Sequence, residues 1–232
     1  MRMTTMNRPD FAIAGVGTTG GGDFHRVELE GVSKVDGSLD CYSFKMNGLA
    51  KVKGSICAVE RFEASGKLTV DGPVKAAMAK IEGQATVRGN LDCEVLQANG
   101  FIKIVGDCRT RGCDVRGAMT VDGVLDADRL TIYMDGPVRA EVIRAKQISV
   151  SITKSGTIKR LMQSILPAPW QTQLRADRIE GDDVHLVETT AALVRGRQVK
   201  IGAGCVIDRV EFGSELIVHP DAVVRSRERI FG

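Results

Sequence analysis

The chain has 232 residues, of which 43% are hydrophobic but only 4% aromatic, with 26 glycines and 6 cysteines. Its 32 basic and 29 acidic residues leave a formal charge of +3, too balanced for nucleic-acid binding through bulk electrostatics. No stretch approaches the roughly 20 apolar residues that cross a bilayer, the N-terminus lacks a secretory plan, and irregularly spaced cysteines make no disulfide framework, so a cytoplasmic chain with reduced thiols is expected.

Residues 1–23 are rich in glycine and are expected to form a mobile arm. The segment "FAIAGVG" within it is short and has little flanking positive charge to hold it on a membrane.

From residue 24 to 154 the chain repeats itself. Gly37, Gly54, Gly72, Gly89, Gly106 and Gly123 follow one another at steps of 17 or 18 residues, and a second glycine stands six residues before each, from Gly31 to Gly117. Between them run apolar columns of fixed spacing: Val35, Val52, Val70, Val87, Ile104 and Val121; then Leu39, Ile56, Val74, Leu91, Cys108 and Leu125. Phe44, Phe62, Ala79, Leu96, Cys113 and Leu130 form another, followed by Met46, Ala64, Ile81, Ala98, Val115 and Ile132. Alternation with period two marks strands buried on one face, about three short ones per copy. A unit this small has no room for the helical crossover an open parallel sheet requires. Coiling solves the problem: each turn stacks on the last, giving an all-β parallel β-helix, a solenoid of 17–18 residues per turn.

The outward positions are consistent with that register. Asp36, Lys53, Asp71 and Arg88 alternate in sign down one column, and Lys75, Asp92, Arg109 and Asp126 down another, as cross-strand neighbours should.

Residues 155–173 break the pattern. Ile158, Leu161, Met162, Ile165 and Leu166 fall at helical spacing and are stopped by Pro167 and Pro169, which predicts a short amphipathic helical insertion. Residues 174–225 resume alternation and are expected to add irregular turns, followed by a basic tail over 226–232.

Little in the sequence points to chemistry. His25, His185 and His219 lie apart, without the acidic or cysteine neighbours of a triad or zinc site. Cys108 and Cys113 occupy apolar columns and read as small core residues. No glycine loop opens a helix in the manner of a phosphate site. No catalytic, cofactor or metal residue is assigned. A coil with two unpaired ends instead offers edges for pairing with further copies. Val27 and Leu29, in the segment from Asp23 to Glu30, are the candidates at one end, and Leu216, Ile217 and Val218 at the other.

The glycine-rich opening "GVGTTGGGDFHRVELEGVSKVDGSLDC", the recurring V-x-G and the terminal "VKIGAGCVIDRVEF" resemble the bactofilins, in particular their longer Bacillus-type form. The resemblance implies a right-handed triangular β-helix that polymerises end to end without nucleotide. It also implies a non-enzymatic scaffold for cell-shape, wall or motility machinery at the inner face of the membrane, with a related paralogous chain as a further partner. A competing likeness is local: "VKIGAGCVI" is phrased like the hexapeptide acyltransferases, in which His185 would be the only available general base.

Overall fold

The computed structural model describes residues 8–153 and 172–230. The chain is all-β, a parallel β-solenoid that divides into two compact units, Met1–Thr110 and Arg111–Gly232.

The first unit carries β1 (Phe11–Thr19), β2 (Gly22–Val35), β3 (Leu39–Val52), β4 (Ile56–Val70), β5 (Val74–Val87), β6 (Leu91–Ile104) and β7 (Cys108–Arg109). Each strand pairs in parallel with the next, and the repeats define the register: Val35 lies against Val52, Val52 against Val70, Val70 against Val87, and Val87 against Ile104. All five are buried. Phe44 and Phe62 stack with ring centroids 5.1 Å apart, because their shared column brings the rings one turn apart. Burial extends to a column absent from the sequence reading, Ser33, Ala50, Leu68, Ala85 and Ile102. It lies two residues before the valine column and closes the core on the remaining face.

Most turns are one long bent strand rather than three short ones, interrupted only near the second glycine. The two glycine columns serve different needs. Gly66 bends the chain at φ +112°, and a Cβ there would collide with the carbonyl oxygen of Gly48 in the turn before. Only glycine accepts that backbone region without strain, so the bend is made while the inter-turn ladder continues. Gly54 has no such φ, but a Cβ would lie 2.6 Å from the Ser38 amide nitrogen, so close backbone approach is the reason there. The single 18-residue step is a bulge. Register shifts between Cys41 and Ser43 and between Ala58 and Arg61 place the extra residue of β4 near Val59 and Glu60, where an unpaired position bends the strand.

The charge columns close as ion pairs. Lys53 Nζ lies 2.8 Å from Asp36, Arg88 lies 2.9 Å from Asp71, and Arg109 lies 3.7 Å from Asp92.

The second unit carries β8 (Gly112–Ile152), β9 (Leu174–Leu186), β10 (Thr189–Ile201), β11 (Val206–Val218) and β12 (Val223–Arg229). β8 runs through more than one turn without a break: the Asp128 amide donates to the Arg111 carbonyl and the Thr153 amide to that of Met134. Its segment from Val138 pairs directly with β9, Val138 against Leu174. The register thus skips across residues 154–171, with Val138 N–H donating to the Gln173 carbonyl at the corner where the chain returns. Of the helical insertion expected over 155–173, residues 155–171, which include Ile158 to Leu166, lie outside those described. Beyond it Leu174 pairs with Thr189 and Leu186 with Ile201 in one unbroken register, whereas the pairing of β10 with β11 shifts register between Gly196 and Gln198. The expected tail over 226–232 is also corrected, since β12 continues to Arg229.

A further correction concerns the arm. Residues 11–19 are not a mobile segment but strand β1, matching β2 residue for residue from Phe11 against Val27 to Thr19 against Val35. Gly15 lies against Gly31 with φ +93°, so the bend column begins one turn earlier than the repeats indicate. Inter-strand hydrogen bonding along nine residues outweighs the chain entropy that a glycine-rich composition would otherwise favour.

Candidate assembly interface

Among the described residues β1 pairs only with β2, and β12 only with β11. The outer edges of β1 and β12 therefore present backbone N–H and C=O groups with no strand against them among the described residues.

At the first end, Phe11 and Ile13 lie over Val27 and Leu29 in the inward columns. Val27 and Leu29 are fully buried, whereas Phe11 and Ile13 remain half-exposed. The core is thus open at this turn. Phe11 covers part of it by packing on Phe24, ring centroids 4.8 Å apart. The turn is also tied down. The His25 amide donates to the Pro9 carbonyl at 2.9 Å, and the Arg8 guanidinium donates to the Asp40 carboxylate. Asp23 and Asp40 are stacked in register, so a cation beside them offsets a like-charge contact. The Asp40 carboxylate in turn raises the Arg8 pKa above its ordinary value. The sequence candidates Val27 and Leu29 are accordingly corrected: they lie one turn inside the end, under β1. The missed signal is in the text itself, since Phe11, Ile13, Gly15 and Gly21 repeat Val27, Leu29, Gly31 and Gly37 at one common offset.

At the other end β12 covers β11 only from Val206 to Phe212. Leu216, Ile217 and Val218 pair with Val199, Lys200 and Ile201 beneath them and have no β12 residue above. Leu216 and Val218 are half-buried and Ile217 is 48% exposed. These three candidates do lie together on an uncovered edge. The polar residues here form a ladder: Arg144 to Glu180 at 3.3 Å, then Arg195 to Glu211 at 2.6 Å, with Arg209 also on Glu211 at 2.9 Å. Arg209 extends the ladder to Glu228 in the last turn. Glu211 is buried, and its two arginines satisfy the carboxylate that the fold encloses.

All six cysteines are free. Burial pushes the Cys41 thiol up to about 12 and the Cys93 thiol to about 11, away from the thiolate form that reacts or binds metal. Cys108 and Cys113 are buried core residues. His25 stacks on Tyr42 at 5.4 Å, His185 is exposed between Ser149 and Lys200, and His219 lies 3.7 Å from Asp221. The structure brings none of the three together. Among the described residues no group of His, Cys, Asp and Glu is placed to hold a metal ion, and no helix is long and apolar enough to cross a membrane.

Comparison with known proteins gives two relatives, both from Bacillus subtilis (strain 168). The uncharacterized protein YhbE is 30% identical over 236 residues, spanning 94% of this chain and 97% of its own length. The uncharacterized protein YhbF is 40% identical over 58 residues, a quarter of each chain. No family model matches, and no solved structure gives a significant match.

Proposed function

The chain belongs to the family of YhbE, and on that premise we propose that it is a non-enzymatic scaffold that assembles end to end into filaments without nucleotide, in the manner of the bactofilins it resembles. The observation that carries this reading is the half-exposed apolar pair Phe11 and Ile13 beside the unpaired edge of β1. A second copy stacked there continues the ladder and buries the open core, which is how a contact that does not close produces a filament. The uncovered run of Leu216 to Val218 offers a second apolar edge. The bactofilin resemblance adds the cytoplasmic face of the membrane as the place of work and a related chain as a further partner.

Negative-stain electron microscopy of the purified protein without nucleotide tests the proposal. Filaments are expected, and Ile13→Lys or Ile217→Asp should shorten or abolish them while leaving the β-sheet circular dichroism unchanged. Lys75→Ala, on a lateral face, should have no effect. A monodisperse monomer over a range of concentrations and salts overturns the reading. The hexapeptide acyltransferase alternative rests on the solenoid fold and local phrasing alone, and acyl-CoA should not raise the melting temperature.

A further inference from the structure

The first unit carries a groove on its lateral surface that end-to-end stacking does not use. It has a volume of about 470 Å³, within the span of roughly 300–1,000 Å³ typical of ligand pockets. Outward side chains from successive turns build its two walls. One wall is the column Val16, Val32, Leu49, exposed by 87%, 48% and 50%. The other is cationic, with Lys34 and Lys51 stacked in register, and Lys67 closes the far end below Leu49. The floor is the backbone of Gly17, Ser33 and Ala50, residues whose side chains are absent or point into the core.

Three features set the chemistry of the occupant. Three apolar side chains, Val16, Val32 and Leu49, lie exposed on successive turns of one column. Three lysines line the groove and no carboxylate does. Lys34 and Lys51 share their charge with Asp36 at 3.1 Å and Asp71 at 3.8 Å on the next outward row, but Lys67 makes no ion pair with any described residue. Lys34 and Lys51 are also stacked directly on one another, a like-charge contact that Asp36 and Asp71 relieve from one side only.

We propose that this groove docks an acidic partner segment in extended conformation, its apolar side chains against Val16, Val32 and Leu49 and its carboxylates toward Lys34, Lys51 and Lys67. The dimensions suit such a segment. Three inter-turn steps of about 4.8 Å give a groove about 14 Å long, which four or five residues of extended chain span at about 3.4 Å each. Alternating side chains of an extended peptide point to opposite sides, so an apolar–acidic alternation meets the apolar wall and the cationic wall at once. A lipid surface fits less well. Asp36 and Asp71 stand on the row beyond the lysines and would face anionic headgroups, whereas a peptide seated between the walls avoids them.

The test uses the full-length chain and a fluorescently labelled synthetic peptide alternating leucine and glutamate, with a leucine–lysine peptide and vesicles containing phosphatidylglycerol as the other arms. Fluorescence anisotropy should show saturable binding of the acidic peptide, weakened by salt, and no binding of the basic one. Lys67→Glu and Leu49→Asp, both exposed and outside the core, should each weaken it about tenfold, equivalent to about 1.4 kcal/mol. Lys75→Ala should leave it unchanged. Equal binding of both peptides, insensitivity to Lys67→Glu, or binding to the vesicles alone overturns the proposal. Filament formation is scored separately in the same samples and should be unaffected by Lys67→Glu, so failure of the groove and failure of the assembly reading are distinguishable.

Discussion

The stretch from β2 to β6 in the first unit and the stretch from β9 to β11 in the second stack strands in the same way but turn their corners differently. In the first, Gly31, Gly48, Gly66, Gly83 and Gly100 all adopt positive φ and lie on one another, so that a side chain at nearly any of them would strike the carbonyl of the previous turn. In the second, Gly181 and Gly196 share a column without that conformation, and the column continues into Phe212. The column accepts a side chain at Phe212, although a Cβ at Gly181 would lie 2.4 Å from the Ala145 carbonyl oxygen, and β9 to β10 advances by 15 residues. The ladder from Arg144 through Glu180, Arg195 and Glu211 runs beside it. The comparison teaches that inter-turn hydrogen bonds define the solenoid, whereas the corner is a local solution that backbone conformation or side-chain pairing can each supply.

The comparison breaks most sharply at the glycines. Gly66→Ala combines a backbone region costing an alanine about 1–3 kcal/mol with collision against Gly48, and should destabilise by about 3 kcal/mol in thermal or urea unfolding. Gly213→Ala, whose Cβ would lie 3.4 Å from the nearest backbone atom, should change stability by no more than about 0.5 kcal/mol. Similar losses at both positions would mean that the corners are equivalent after all.

An intermediate effect sharpens the electrostatic half. Glu211→Ala removes a buried carboxylate held by two arginines that are themselves about half exposed. Discounted for solvent screening, the cost should be about 1–2 kcal/mol. Glu82→Ala, which removes an exposed partner of Lys80, should leave stability nearly unchanged by the same denaturation measurement.

The smallest effect is a pH dependence. Hydrogen bonds from Lys53 and then Lys34 hold the Asp36 carboxyl below its ordinary value, and Lys146 does the same for Asp128. A group depressed on folding contributes stability that is complete above its unfolded pKa and is lost as pH falls through the folded one. These surface pairs should therefore persist throughout the neutral range and weaken only in acid, below the usual carboxylate value. An NMR titration should place both carboxyls below 3.8, and Lys53→Ala should raise Asp36 but leave Asp128 unmoved.

Legibility followed the same division. The core columns of β2 to β6 were readable because stacking makes one chemical environment recur at one interval, and Val35 and Val52 obey it to the residue. β1 was obscured because its offset from β2 is a residue shorter and its glycines raise the expectation of a mobile arm, although Phe11, Ile13 and Gly15 carry the repeat. The bulge near Val59 appeared in the sequence only as a longer step, since insertion anywhere in the turn gives the same count. At the ends, Leu216 to Val218 were read as belonging to the last strand but close β11, with β12 following, and Val27 and Leu29 were placed one turn too far out.

From the sequence alone came the periodicity, and with it the coil, its inward columns and the sign alternation of Asp36, Lys53, Asp71 and Arg88. Only the tertiary structure decided where the stack opens and what lies exposed on its sides. Val16, Val32 and Leu49 are distant in sequence and become one wall only when the offsets between β1, β2 and β3 are fixed by hydrogen bonds. The reason is physical: burial imprints a repeating pattern on the residues it selects, whereas ends and surface columns are properties of the register, which backbone groups establish without leaving a mark in side-chain identity.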